Sequence, residues 1–157
     1  MRKCPICGRE NDDNNQFCEG CGADMNMDER EVDLKKNKAV AIFVYLLDIL
    51  GIIVGYIAGI KSEYAAFHAR EALKIKLAEV IFGIILIILA VVIGGPVAII
   101  SSATSFFGIP SLGIFWFLLG IYGIGKLVFW VLRLIGAINS AKGLYKSAPL
   151  VGNIPFF

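Results

Sequence analysis

Four cysteines provide the clearest chemistry in this sequence of 157 residues. They form two Cys-x-x-Cys-Gly turns, at residues 4–8 and 18–22, with ten residues between the two cysteine pairs. Each turn directs two sulfur atoms at one metal ion, and the glycine after the second cysteine permits a positive φ. The spacing predicts a tetrahedral site for structural Zn2+, with iron or a redox pair of thiols as the alternative. The predicted ligands are Cys4, Cys7, Cys18 and Cys21.

Such a site is structural, because four thiolates fill the coordination shell and leave no position for a substrate. Residues 1–24 are too few to bury a useful core, so metal binding would provide most of the folding free energy. Three basic residues face five acidic ones in this ribbon. That balance disfavours nucleic acid, and we expect either a protein-docking module or a stabilising cap without a partner.

The rest of the sequence is strongly apolar. Hydrophobic residues make up 57% of the chain and charged residues 18%, and the mean hydropathy is +0.74. No Asp, Glu, Lys, Arg or His occurs in the 46 residues from Val80 to Gly125. As one helix this run would measure roughly 70 Å, over twice the ~30 Å hydrocarbon core of a bilayer. We therefore expect it to fold back, at Gly94-Gly95-Pro96 and at residues 108–111.

These patterns predict an all-α helical membrane domain with two to four membrane helices, preceded by a small N-terminal zinc ribbon. The expected boundaries are residues 1–24 for the ribbon, 25–38 for a charged linker and 39–157 for the membrane domain. The apolar segments run over about 39–60, 77–93 and 112–138. Ser62 is the expected N-cap of a polar helical stretch that reaches Glu79.

The charge of the first loop and the cysteine site of the N-terminus predict topologies that one crossing helix cannot satisfy together. The loop after the first apolar segment carries four Lys and Arg residues and the next loop none, which predicts a cytoplasmic first loop. The cysteine site favours a reducing compartment, so we also expect the N-terminus on the cytoplasmic side of a prokaryotic cell membrane. Both ends of one crossing helix cannot lie inside. Either the first segment is a re-entrant or interfacial hairpin, or a simple crossing breaks the rule.

A stripe of small residues lies in the first apolar segment. Gly51, Gly55 and Gly59 follow Asp48 at spacings of three or four, so all four residues share one helix face. Small residues at this spacing let another helix approach closely, and a homo-oligomer is compatible with such a seam. The stripe predicts helix packing at this face, with Asp48 either paired to a neighbour or lining a proton or ion path.

Lys126 is the expected partner of Asp48. A third helix from Leu112 to Ala137 would place Lys126 near its centre, opposite the carboxylate. If residues 106–125 form the span instead, Lys126 and Arg133 would snorkel to the membrane surface. Both interpretations remain open from the residues alone.

No catalytic motif accompanies these features. His68 is the single histidine, and the sequence has neither a phosphate-binding glycine loop nor a nucleophile elbow. We therefore expect a non-enzymatic integral membrane protein with a cytoplasmic zinc-ribbon docking or stabilising module. The alternatives are a transporter or channel-like component that uses Asp48 and Lys126, and a metal or redox sensor.

Residues 67–73, Phe-His-Ala-Arg-Glu-Ala-Leu, resemble a Phe-His-Ala-x-Gln-Ala-Leu motif. The motif belongs to the channel-like subunit family of the chloroplast inner-envelope protein translocon and its prokaryotic relatives. Residues 136–145 and the Pro149-Leu150 pair are similar to the ending of that family, and residues 1–24 resemble a double-zinc-knuckle cap. The resemblance implies that Phe67, His68 and Leu73 hold a surface helix to the bundle, with His68 hydrogen-bonded. Glu71 departs from the motif's glutamine.

Overall fold

The computed structural model describes residues 1–103 and 108–150, and the side chains of these residues except 94–95 and 97–114. Over this part of the chain the fold is one short β-hairpin and four helices. The elements are β1 (Arg2–Lys3), β2 (Glu10–Asn11), α1 (Glu29–Leu46), α2 (Asp48–Gly59), α3 (Glu63–Ala103) and α4 (Gly108–Ala141). The predicted fold class, a helical membrane domain behind a small cysteine-bearing head, is confirmed.

The head is held together by short antiparallel pairings. β1 pairs with β2 in the register Arg2 to Asn11, and a single bridge joins Phe17 to Asp24. Asn11 also accepts a hydrogen bond through its side-chain oxygen from the backbone N–H of Glu19, at 3.0 Å. These few hydrogen bonds join the two cysteine turns. So short a segment needs no further regular structure.

The first apolar segment is two helices rather than one. α1 ends at Leu46 and α2 begins at Asp48, whose φ of 53° lies in the left-handed region. Aspartate tolerates this conformation better than most residues, but a continuous helix cannot pass through it. Of the two arrangements predicted for this segment, the structure therefore shows the hairpin and not a single crossing helix.

Both ends of the α1–α2 hairpin lie beside the start of α3. The Asp33 carboxylate of α1 accepts a hydrogen bond from the backbone N–H of Tyr64 at 3.1 Å. The tip reaches further along α3, where Asp48 contacts Lys76 at 2.9 Å. Within one apolar segment, α1 thus runs along α3 and α2 returns towards the start of α3.

The glycine stripe lies on the inside of this hairpin. A Cβ at Gly51 would collide with the backbone carbonyl oxygen of Phe43 in α1. At Gly55 it would lie 2.5 Å from the Val44 Cγ2, and at Gly59 3.0 Å from the Ala66 Cβ in α3. The stripe lets α2 approach α1 at one end and α3 at the other.

α3 and α4 are long antiparallel helices. Ser62 caps α3 as predicted, because its Oγ accepts from the backbone N–H of Ala65 at 3.0 Å. The Tyr64 hydroxyl donates to the carbonyl oxygen of Ser140 at 2.6 Å, near the start of α3 and the end of α4. Further along, the rings of Phe82 and Phe129 pack with centroids 5.9 Å apart.

The expected turn at Gly94-Gly95-Pro96 is wrong. α3 continues through these residues to Ala103, and Pro96 lies inside the helix. A proline is tolerated within a membrane helix more readily than in a water-soluble one, because neighbouring groups satisfy the freed carbonyl. The second expected turn, at 108–111, falls in the first turn of α4. Residues 104–107, between α3 and α4, lie outside the described residues.

Within the part of the chain that the structure describes, two helical stretches are long and apolar enough to cross a bilayer, Glu63–Ile93 and Phe115–Ala141. Only 6% of the most apolar window in each is buried within the chain. The core is instead small, and lies where the α1–α2 hairpin meets the charged halves of α3 and α4, around Val44, Tyr45 and Ile75. Side chains this apolar and this exposed require lipid as their solvent.

Alanine at Gly51 tests the close packing of the hairpin. We expect Gly51→Ala to lower the free energy of unfolding by about 1–3 kcal/mol, because the added methyl group meets backbone that cannot move aside. Gly83→Ala is the matched control, since a Cβ there has nothing within 4 Å. It should be neutral or stabilising by up to about 1 kcal/mol. Thermal unfolding in mild detergent measures both, and equal stability of the two variants would contradict the packing.

Candidate metal centre and membrane charge network

The four predicted ligands lie together. Their sulfur atoms are all within 4.8 Å of one another. The Cys4 and Cys21 sulfur atoms are 3.7 Å apart, and those of Cys7 and Cys18 are 3.6 Å apart. A tetrahedron with Zn–S bonds of about 2.3 Å has edges of roughly 3.8 Å, whereas a disulfide bond measures about 2.05 Å. The cluster therefore has the dimensions of a tetrahedral thiolate site and could hold a metal ion.

The two cysteine turns are built alike. In each, the glycine N–H donates to the carbonyl oxygen of the first cysteine, at 3.0 Å from Gly8 and 2.8 Å from Gly22. Both glycines are left-handed, with φ values of 77° and 69°. A side chain at either position would strain the backbone, so the glycines close the turns that bring two sulfur atoms to one side.

Backbone N–H groups favour the thiolate form at Cys18. Burial opposes ionisation of this thiol, but the N–H groups of Gly20, 3.3 Å from the sulfur, and Cys21 outweigh it. Together with the Asn11 side-chain amide they lower the pKa of Cys18 to about 6. Thiolate is the form that binds a metal ion.

Cys21 shows the opposite effect. The backbone N–H of Ala23 favours its thiolate, but the neighbouring thiol of Cys7, burial and the thiol of Cys4 outweigh it and raise the pKa of Cys21 to about 12. Sulfur atoms this close resist ionising together. A bound divalent cation would remove that opposition, so the donor set fits a metal ion better than four free thiols.

A second polar cluster, here the charge network, joins α2, α3 and α4. Asp48 accepts from Lys76 at 2.9 Å and from the Arg133 Nη2 at 3.0 Å. Glu79 accepts from Lys126 and from the same Arg133 nitrogen, and the Lys76 ammonium lies 3.7 Å from it. Five charged side chains on apolar helices thus pair with one another, three cations with two carboxylates, as expected for charges near lipid.

The structure does not bring Asp48 and Lys126 into direct contact. Arg133, two helical turns beyond Lys126, takes the position facing Asp48, while Lys126 binds Glu79. The expected pair therefore needs correction: both residues belong to the network but have different partners.

Glu79 was the residue that sequence reasoning missed. It is the last charge before the uncharged run, and Lys126 is the first after it. Because α3 and α4 are antiparallel, the two residues that flank the uncharged run lie side by side. Their positions at the two ends of this run were the sequence feature that could have predicted the contact.

The His68 motif lies at the contact between α1, α3 and the segment after α4. His68 is fully buried, and its Nδ1 is 3.1 Å from the Tyr45 hydroxyl oxygen. The Phe67 ring packs 5.5 Å from that of Tyr145, and Leu73 packs against the core. These residues connect elements that lie far apart in the sequence.

The combination defines a class: a helical membrane protein with a cysteine cluster in a short N-terminal head. Residues 36–157 match the magnetosome magnetite crystal formation protein family, MamF/MmsF, and the chain belongs to this family of magnetosome membrane proteins. The match begins within α1, so the cysteine turns lie outside it.

Comparisons with curated proteins and with solved structures each found no match. The comparisons give no support to the translocon-subunit resemblance. The motif that suggested it is short, and its histidine and aromatic rings pack between helices in this fold.

Metal analysis of the reduced, purified chain tests the cysteine cluster. We expect one zinc ion per chain, and loss of that ion together with increased proteolysis of the head in Cys18→Ser. Phe17→Ala is the control, because this side chain lies in the same head and is exposed, whereas Cys18 is buried. A metal-free intact protein, or full zinc content in Cys18→Ser, would overturn the prediction.

Double-mutant cycles test the pairing within the charge network. The Asp48→Asn and Arg133→Gln substitutions should couple by about 1 kcal/mol or more in unfolding free energy, because the two side chains are in contact. Asp48→Asn with Lys126→Gln should couple more weakly, since only Glu79 and Arg133 connect them. Stronger coupling to Lys126 would restore the direct pair.

Proposed function

We propose that this chain is a non-enzymatic membrane protein whose head is a structural zinc ribbon that docks a protein partner. The observation that carries the proposal is the closed set of four sulfur atoms, which offers a metal no open position for chemistry. The head also lies outside the residues that match the family. A module that precedes a family-matched membrane domain fits recruitment of a partner better than a role within the bilayer.

The charge distribution supports a two-crossing topology. On α3 every Lys and Arg precedes Glu79, and on α4 every one follows Gly125. Because the helices are antiparallel, all these cations lie at one end. The start of α1 packs at that end through Asp33. By the positive-inside rule this end, with the ribbon, is cytoplasmic. The α1–α2 hairpin then does not cross, and the conflict seen in the sequence disappears.

The family description points to magnetite formation, and the same topology limits how this chain could contribute. The hairpin of α3 and α4 that would face away from the cytoplasm carries no carboxylate or imidazole from Val80 to Gly125. Carboxylate and imidazole are the side chains that most readily bind iron outside sulfur sites. We therefore propose an indirect contribution, in which the membrane domain anchors the ribbon and the ribbon recruits a partner.

A transporter or channel-like role is the second candidate, and the charge network is the observation that favours it. In the network each carboxylate is bound by at least two cations, so neither offers a free ligand to a moving cation. This arrangement supports a structural role. A pathway role would require Asp48→Asn to abolish ion flux in liposomes while leaving stability unchanged.

Affinity purification in mild detergent tests the docking proposal. We expect the full chain to retain partners that a chain without residues 1–24 loses, while both insert equally into the membrane. Cys18→Ser in the full chain should behave like the deletion, because the ribbon needs its metal to fold. Phe17→Ala should behave like the unmodified chain. Identical sets of retained proteins with and without the ribbon would leave it only a stabilising cap.

A further inference from the structure

A groove lies beside the charge network on the outer surface of α3 and α4. Its volume is about 510 Å3. One wall is Glu79 of α3, and the others come from a single stretch of α4. The lining residues are Glu79, Lys126, Leu127, Phe129, Trp130 and Arg133.

The groove carries the unbalanced charge of the network. Three cations face two carboxylates, which leaves one positive charge. Lys126 is the cation that presents it, because its side chain is 47% exposed whereas those of Lys76 and Arg133 are 19% exposed. An uncompensated charge beside apolar helices is costly, so an anion bound here would lower the free energy of the folded protein.

Both groove cations have donors to spare. The hydrogen bonds that Arg133 makes within the described residues all come from Nη2, so Nη1 and Nε are available to an anion. Lys126 donates one of its three N–H groups to Glu79. A guanidinium edge beside an ammonium group suits the oxygens of a phosphate.

The surroundings of these cations are hydrocarbon. Leu127 and Trp130 of the groove are both mostly exposed, as are Ile87 and Val91 on α3 beyond Glu79. A small water-soluble anion would leave that apolar surface uncovered. A ligand that joins a phosphate to acyl chains would cover both parts, and indole rings favour this boundary between headgroups and chains.

We propose that the groove binds an anionic glycerophospholipid, with its headgroup phosphate on Lys126 and Arg133 and an acyl chain along Leu127 and Trp130. This inference rests on the membrane residence of α3 and α4 and is independent of the ribbon and its metal.

Thermal unfolding of the full chain in neutral detergent, with phosphatidylglycerol or phosphatidylcholine added, tests the site. Phosphatidylglycerol should raise the Tm saturably and more than phosphatidylcholine does, since the latter's choline cancels the headgroup charge. Lys126→Gln should weaken the phosphatidylglycerol affinity roughly tenfold or more, the effect of losing one charged hydrogen bond. Lys126→Arg should retain it. Lys142→Gln is the matched control, because Lys142 is exposed near the same end of α4 but lies outside the groove.

Equal stabilisation by the two lipids, or an unchanged phosphatidylglycerol affinity in Lys126→Gln, would overturn the proposal. Stabilisation by glycerol 3-phosphate as strong as by the lipid would do the same and identify a free-anion site. Lipid-independent dimerisation that Lys126→Gln abolishes would assign the groove to a second copy of the chain. Cys18→Ser should keep the lipid response, so a failure of the ribbon proposal would be seen separately.

Discussion

The contact of Asp48 with Lys76 and Arg133 is the interaction on which the arrangement of the helices depends. Asp48 sits where α1 ends and α2 begins, in a left-handed conformation that breaks the helix. Its carboxylate ties this break to α3 and α4 at once. Ion pairs in apolar surroundings add little net stability, but removing one partner is costly, so they specify a single arrangement. Here they specify where the hairpin tip lies.

Several features follow from the position of that tip. Because the chain returns beside its own starting point, the head and the basic ends of α3 and α4 lie on the same side of the molecule. The glycines of α2 then face inward, where α1 leaves no room for a side chain at Gly51 and Gly55, and α3 leaves little at Gly59. The opposite face of α2 is apolar and exposed, with Leu50 and Ile57 among its most accessible residues. The fold makes physical sense only with lipid or a partner against these surfaces.

The sequence predicts the features that depend on neighbours in the chain. Two Cys-x-x-Cys-Gly turns close through local hydrogen bonds, so their spacing alone indicates the clustered sulfur atoms. Ser62 as a cap is local in the same way. The apolar composition likewise predicts α3 and α4, because long uncharged helices have few other environments.

Features that depend on contacts between helices could not be predicted from the sequence in the same way. A stripe from Asp48 to Gly59 has the same period whether the preceding helix continues or breaks, so the hairpin was one of two open alternatives. The partner of Asp48 depends on the rotation and height of α4, which no local pattern encodes. Glycine and proline at 94–96 predict a turn, yet these residues lie inside α3. In an apolar run a continuous helix provides hydrogen bonds to more backbone groups than a turn does.

The distance across the first apolar segment tests the hairpin most directly. Spin labels on unnatural side chains at positions 36 and 61, which spare the native cysteines, would report it by pulsed electron resonance in nanodiscs. Continuous helix over these 25 steps would hold the two backbones roughly 38 Å apart. The account predicts a single distance well short of that value, since the two ends of the hairpin both lie beside the start of α3. A distribution centred near the length of the continuous helix would contradict it.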